Sequence, residues 1–447
     1  MYQNSLTTGA ATIFALSSAP GRAGVAVIRI SGPRARDALE RMVAPTPKPR
    51  VAAFRTIRHP ETGEALDRAV VLWFAAPLSE TGEDVVEFQV HGSRAVVAAV
   101  LAALGGISGF RLAEPGEFAR RAFENGKLDL AEVEGLADLV DAETDAQRRQ
   151  ALAQAGGSLS KLYDGWRARL IEIAALTEAA IDFSDEGDVS AASFAEARKR
   201  AEILSKEIAA HLDDGHRGEI LRDGFRVALL GAPNAGKSSL LNALARREAA
   251  IVSAEAGTTR DVVEVRLDLA GLPVIVSDTA GIREATSEVE QEGIRRSLAA
   301  AREADLILWL AEKPESIPPL GFSRETSLVI RSKTDLPHES HSKSEFGDLA
   351  ISAKTGKGLD RLIELIADRA EQAVGFRTDP ALTQARHRQN LETALSDVQV
   401  FLNGSADAIE LRAEDLRRAA QALGRITGRV DVEDVLDQIF SRFCIGK

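Results

Sequence analysis

The segment Gly231-Ala-Pro-Asn-Ala-Gly236-Lys237-Ser238 follows the apolar run VALL and precedes SLLNALAR, so a strand, a glycine-rich loop and a helix stand in order. Triphosphate chemistry needs that order. Glycines let the backbone curl until its amides face a β-phosphate, Lys237 neutralises the β and γ oxygens, and the Ser238 hydroxyl is placed to ligate Mg2+. Asn234, Ala235, Gly236, Lys237, Ser238 and Ser239 are the expected nucleotide contacts of this loop.

A second constellation selects the base. In Ser332-Lys333-Thr334-Asp335 the Asp335 carboxylate can accept two hydrogens from the guanine edge, and the Lys333 stem can lie over the ring. Ser352-Ala353-Lys354 can offer backbone amides to the guanine carbonyl, a pattern adenine does not match. The usual guanine pattern has Asn where this chain has Ser332.

Asp278-Thr279-Ala280-Gly281 follows the strand-like PVIVS; Asp278 can hold the magnesium shell through water, and the Gly281 amide can sense the γ-phosphate. In the earlier Gly257-Thr258-Thr259-Arg260-Asp261, Thr259 is the natural second magnesium hydroxyl. Order and spacing match a translation-factor-type GTPase. The attacking water lacks the usual glutamine after the glycine, because Ile282 stands there with no hydrogen-bonding group. Glu284, Glu288, Glu290 and Glu292 crowd the following segment, so an acid acting on water is one reading and a solvated acidic helix start the other. Asn234 offers a side-chain oxygen where a monovalent cation can offset transition-state charge.

These residues need a scaffold. FRVALL, VVEVRLDL, PVIVSDT, DLILWLA, SLVIRS and LAISA alternate with helical stretches, which predicts a doubly wound, mostly parallel sheet over 222–373. Before it, residues 1–124 read as a strand-rich α+β module through ATIFALSS, GVAVIRIS, RAVVLWFAA and DVVEFQVH. Helical spacing of Ala, Leu, Glu and Arg fills 125–221 and resumes over 374–447, so the α/β domain reads as an insertion within a helical one. The fold class expected is therefore multidomain α+β and α/β.

At 447 residues the chain exceeds what one core organises. Its 55 Lys and Arg against 67 Asp and Glu leave a net charge of −12, so RNA contact must use local basic patches or a partner's surface. Arg120-Arg121, Arg148-Arg149 and Arg417-Arg418 are solvated helix faces by default and candidates for touching RNA. No apolar run approaches the roughly 20 residues of a membrane span, and the amino terminus lacks an export signal, so a cytoplasmic location is expected. One cysteine, Cys444, excludes an intrachain disulfide; such a residue is most often buried and inert.

The chain resembles the MnmE, or TrmE, family of tRNA wobble-uridine modification GTPases over essentially its whole length. Besides the nucleotide motifs the resemblance is carried by PGRAGVAVIRISG (20–32), TGEDVVEFQVHG (81–92), EPGEFARRAFENGKLDLAEVEGLADLV (114–140), GTTRD, DTAGIREATSEVEQEGI (278–294) and FCIGK (443–447). It implies K+ beside the nucleotide at Asn234, Ser253, the Glu255 carbonyl and Thr258, with GTPase domains pairing across it. It implies Glu290 as the catalytic glutamate, with Arg283 matching a further position, and an amino-terminal homodimer binding 5-formyltetrahydrofolate through Arg29, Glu87, Lys127 and Lys447. Cys444 would matter for modification. The resemblance further implies a heterotetramer with an MnmG-type flavoprotein that supplies FAD and much of the tRNA surface; no flavin fingerprint appears in this chain. The rival reading is a ribosome-assembly or signalling GTPase, which would need neither the GRAGVAVIRISG module nor FCIGK.

Overall fold

A computed structural model describes residues 11–446 except 183–186, 233, 248, 252–263, 279–301, 314–325, 337–346, 376–379, 406–407 and 431–432. The chain divides into two compact units, residues 1–137 with 424–447, and residues 138–423.

In the first unit, β1 (Thr12–Leu16), β2 (Ala23–Ser31), β3 (Ala53–Arg58), β4 (Ala65–Phe74), β5 (Val85–Gly92) and β6 (Phe110–Leu112) form one sheet in the order β3-β4-β5-β2-β1-β6. Only the β1–β6 pair is parallel. Alternation decides the faces: Ile28 and Ile30 of β2 are buried while Arg29 between them points the other way. On the Ile28 face, α1 (Ala35–Met42) and α2 (Arg94–Gly105) bring Ala38, Leu39, Met42, Val100 and Leu104 onto Val71, Val86 and Phe88. Each large apolar side chain so buried contributes about 1.5–3 kcal/mol. The Ser93 hydroxyl starts α2 by accepting the Val96 N–H.

Phe118 of α3 (Glu117–Glu124) packs with Ile13, Ala15 and Ala113. The first residues of α4 (Leu130–Asp141) and the late helix α13 (Glu433–Phe440) close a further core of Ala119, Leu130, Val133, Ile439, Phe440 and Phe443. Residues 424–447 thus complete the unit begun by residues 12–137.

The second unit runs through α5 (Asp145–Ala155), α6 (Ser158–Asp182), α7 (Gly187–Leu212), α8 (Arg217–Asp223), β7 (Phe225–Gly231), α9 (Lys237–Leu244), β8 (Glu264–Leu269), β9 (Leu272–Asp278), β10 (Leu306–Ala311), β11 (Ser327–Arg331), β12 (Leu349–Ala350), α10 (Leu359–Val374), α11 (Ala385–Asn403) and α12 (Ile409–Thr427). Its sheet has the order β12-β11-β10-β7-β9-β8 and is parallel except for the β8–β9 hairpin. Strand order therefore reverses on either side of β7, which opens the crevice where doubly wound sheets take ligands. The helices pack by spacing: Leu159, Tyr163, Trp166, Leu170, Ile173 and Thr177 of α6 are buried at intervals of three or four, as are Leu391, Ala394, Val398 and Phe401 of α11.

A capping box starts α5. Thr144 accepts from the Gln147 N–H while the Gln147 side chain accepts from the Thr144 N–H, and Gln147 Nε2 also donates to the Arg222 carbonyl at 2.9 Å. Ala146 N–H donates to the Gly271 carbonyl at 3.1 Å and Arg266 pairs with Glu143 at 2.9 Å, so the start of this helix is fastened to the β8–β9 hairpin. Among the described residues, no helix is long and apolar enough to cross a membrane.

Candidate functional site

β7 ends at the switch point, paired on one side with β9 and on the other with β10. Its last residue, Gly231, has φ 145°, and a Cβ there would stand 2.4 Å from the Leu310 carbonyl, so only glycine lets the loop leave the sheet. Asn234 adopts φ 62° at the exposed bend, Ala235 is buried beneath it, and α9 begins at Lys237. The exposed N–H groups of that first turn face the region a phosphate would occupy.

Lys237 is 7% exposed, and its ammonium donates to the Gly231 and Ala232 carbonyls at 2.9 and 3.1 Å. Burial pushes its pKa below the ordinary lysine value, with Asp278 opposing. Asp278 closes β9 opposite Leu229, itself 7% exposed, and its Oδ2 accepts from the Ser238 hydroxyl at 2.7 Å. Two adjoining hard oxygens of this kind suit Mg2+, which favours carboxylate and hydroxyl donors.

The residues expected to select the base lie at the ends of β11 and β12. Ser332 N–H donates to the Ala311 carbonyl at 3.0 Å and Thr334 N–H to the Ile351 carbonyl at 3.2 Å, with Lys333 at φ 55° between them. Lys333 pairs with Glu312. Asp335 is exposed and accepts from the Ser352 hydroxyl at 2.7 Å. That bond, its own backbone N–H and the Lys354 charge hold its carboxyl below the ordinary value, so it stays an acceptor. Ser352 is fully buried and fixed by its N–H to the Lys357 carbonyl, leaving Ala353 and Lys354 at the surface. The Ser332 hydroxyl is buried without a hydrogen-bond partner among the described residues.

Ser253, Glu255, Thr258, Thr259, Thr279, Ala280, Gly281, Arg283, Glu290 and Lys447 lie outside the described residues, as do Ile282, Glu284, Glu288 and Glu292.

The first unit gathers a separate polar cluster. Arg29 and Glu87 are register partners on β2 and β5, and Arg29 Nε donates to Glu87 Oε1 at 3.1 Å; the guanidinium lies 5.7 Å from the Phe118 ring centre. The 79–84 loop joins them: Glu80 pairs with Arg29 at 2.7 Å, and a Cβ on Gly82 would stand 3.1 Å from Lys127 Cε. Such carboxylates suit the amino and ring N–H donors of a pterin, and the cations suit carboxylate or carbonyl oxygens. The tail approaches along β1. Ile445 bridges to Pro115, and Gly446 at φ 105° lies so close that a Cβ would meet the Leu16 carbonyl at 2.3 Å. Leu16 faces Ile28 and Ala15 faces Arg29, so the sheet carries the tail past the Arg29 row. Cys444 is exposed, against the expectation of a buried thiol, because Phe443 takes the core position beside it.

Arg121 corrects another expectation. It is 8% exposed rather than a solvated helix residue, donating to Glu83 at 3.0 Å, to Glu117 at 3.0 Å and to the Ala11 carbonyl at 2.8 Å. Its place three residues after Phe118 and one before Ala122 puts it on the apolar face of α3, which was the available signal. Arg148 and Arg149 pair with Asp145, and Arg417 and Arg418 with Glu178, Glu414, Asp397 and Asp415. Glu80 was missed altogether, and nothing in SETGED distinguishes it.

A phosphate loop at the switch point of a doubly wound sheet, with an acid behind it and a guanine-matched carboxylate beside it, defines a GTPase. Two family descriptions fit the chain: "GTP-binding protein TrmE N-terminus" over residues 12–127 and "MnmE helical domain" over residues 130–444. Proteins called tRNA modification GTPase MnmE are 56% identical over 442 residues in Parvibaculum lavamentivorans, covering 98% of this chain and 100% of that one. The corresponding figures are 51% over 456 residues in Rhodospirillum rubrum and 50% over 438 in Methylobacterium radiotolerans, each covering 98% of this chain and 99% of the relative. The chain belongs to the MnmE (TrmE) family of tRNA modification GTPases.

Proposed function

We propose that this chain hydrolyses GTP in a K+-dependent cycle of a cytoplasmic homodimer, and that the cycle serves addition of a carboxymethylaminomethyl-type group at C5 of the wobble uridine of certain tRNAs. An MnmG-type flavoprotein joins it in a heterotetramer and brings FAD and most of the tRNA-binding surface. The reading is supported above all by the Lys237, Ser238 and Asp278 constellation set in a chain that matches its relatives from end to end.

In this reading 1–124 is the dimerising folate domain, 125–221 and 374–447 the helical domain, and 222–373 the GTPase. Lys237 neutralises the β and γ oxygens, and Ser238 with Thr259 supplies hydroxyls to Mg2+ while Asp278 orients its waters. Asp335, Lys333, Ser352, Ala353 and Lys354 hold guanine. Asn234, Ser253, the Glu255 carbonyl and Thr258 hold K+, which supplies positive charge beside the phosphates. Glu290 activates water where Ile282 cannot, and Arg283 assists. Arg29, Glu87, Lys127 and Lys447 hold the folate, a carrier of a one-carbon unit, and Cys444 contributes beside them.

Mass spectrometry of tRNA nucleosides from a strain lacking this chain tests the whole. Loss of C5-aminomethyl-type uridines is expected, and their persistence defeats the assignment. For the cation, turnover of GTP in potassium buffer should exceed that in sodium buffer, and equal rates remove the role given to Asn234.

A further inference from the structure

Arg29 is one cation of the first unit's polar cluster, and two carboxylates already hold it. Glu87, 16% exposed, stands in register with it on β5 and meets Nε at 3.1 Å; Glu80, 45% exposed, meets Nη1 at 2.7 Å. The two anions differ in what fixes them. Glu87 belongs to a central strand pair. Glu80 sits on a loop whose backbone is pinned on either side of it. Ser79 donates to the Glu83 carbonyl, fully buried Thr81 shares a 2.7 Å hydroxyl contact with Ser31, and Asn125 donates to the Thr81 carbonyl at 2.8 Å. Arg121 holds Glu83 at the end of the same loop. Side-chain rotation of Glu80 is therefore the soft degree of freedom. Exposed ion pairs are weak and screened by salt, and with Glu80 and Glu87 both on its guanidinium Arg29 carries no uncompensated charge toward an entering anion.

We propose that Glu80 is an internal competitor for Arg29. Its carboxylate occupies the guanidinium in the ligand-free site and swings out when a carboxylate or carbonyl oxygen of the ligand takes its place, so Glu80 sets the affinity and salt dependence of uptake. This rests on the reading of Arg29, Glu87 and Lys127 as the seat of a reduced folate, whose glutamyl tail is anionic and whose pterin carries a carbonyl.

Calorimetric titration of the purified full chain with 5-formyltetrahydrofolate, at low and high salt, tests it. Glu80→Gln keeps the shape and removes the charge, and is expected to tighten Kd about five-fold at low salt with the gain shrinking as salt screens the competitor. Glu80→Asp keeps the charge one methylene short and should tighten Kd less, whereas Glu87→Gln should weaken it. Wild-type uptake combined with an unchanged or weaker Kd in Glu80→Gln overturns the competition and leaves the folate reading standing. A gain equal at both salts overturns it too, since charge would then not be the cause. Absence of uptake in wild type and variants alike overturns both.

Discussion

In the proposed reading Lys237 and Asp335 divide the nucleotide between them, one meeting the phosphates and the other the purine. Lys237→Ala should lower GTP turnover about a hundred-fold or more, since a preorganised cationic donor to developing charge is lost. Unchanged kcat in that variant would remove the phosphate assignment. Burial holds the Lys237 pKa down in the free protein, and bound phosphates must raise it, so nucleotide binding favours the protonated form. Affinity for GDP should then fall as pH rises through the depressed free-state value, and a flat titration above neutrality would contradict this. Asp335→Asn should move preference from guanosine toward xanthosine nucleotides by about a hundred-fold, because a site built to accept one donor pattern rejects the base that presents another; competition with XTP reads it directly. The phosphate loop was legible in the sequence because its backbone geometry demands glycine and lysine at fixed offsets. The Arg29 and Glu87 pair was not legible from residue types alone, because cross-strand register decides which polar positions meet, and only family resemblance singled them out.

Elements were readable where burial imposes a period. FRVALL, PVIVSDT, DLILWLA and the long helical runs show it plainly. β3 and β6 escaped notice, because β3 lies at the sheet edge with Ile57 as its one fully buried residue and β6 spans three residues. Capping carries a testable share of stability: Thr144→Ala should cost about 1 kcal/mol by removing an acceptor for the Gln147 N–H. A denaturant midpoint that does not move would show the box to be redundant. Helix α3 adds a pH effect. Burial alone would raise the Glu117 pKa, but bonds from Arg111, the Glu114 N–H and Arg121 outweigh it and lower the value. The stability so gained is present above the ordinary glutamate pKa of about 4.3 and is lost as pH falls through the depressed folded value. Thermal unfolding of Glu117→Gln should accordingly depend less on pH below about 4.5 than that of the wild type.

For the molecule as a whole, the pairing of residues 424–447 with residues 1–137 is the organising fact. Helical periodicity carries no sign of it, since an apolar stripe states that a partner exists and not which one. Phe440, 3% exposed, packs on Ala119, Leu130 and Val133 over a sequence separation of some three hundred residues. Phe440→Ala should therefore cost about 3–5 kcal/mol in the first unit, while the second unit unfolds as before. Coincident loss of both transitions would argue for a single cooperative molecule. The same pairing has a consequence during synthesis. A ribosome adding about 5–20 residues per second takes roughly 15 to 60 s to pass the intervening stretch of about 290 residues. Throughout that interval Ala119 of α3 and Leu130 and Val133 of α4 wait without Ile439, Phe440 and Phe443, the apolar side chains that close their core.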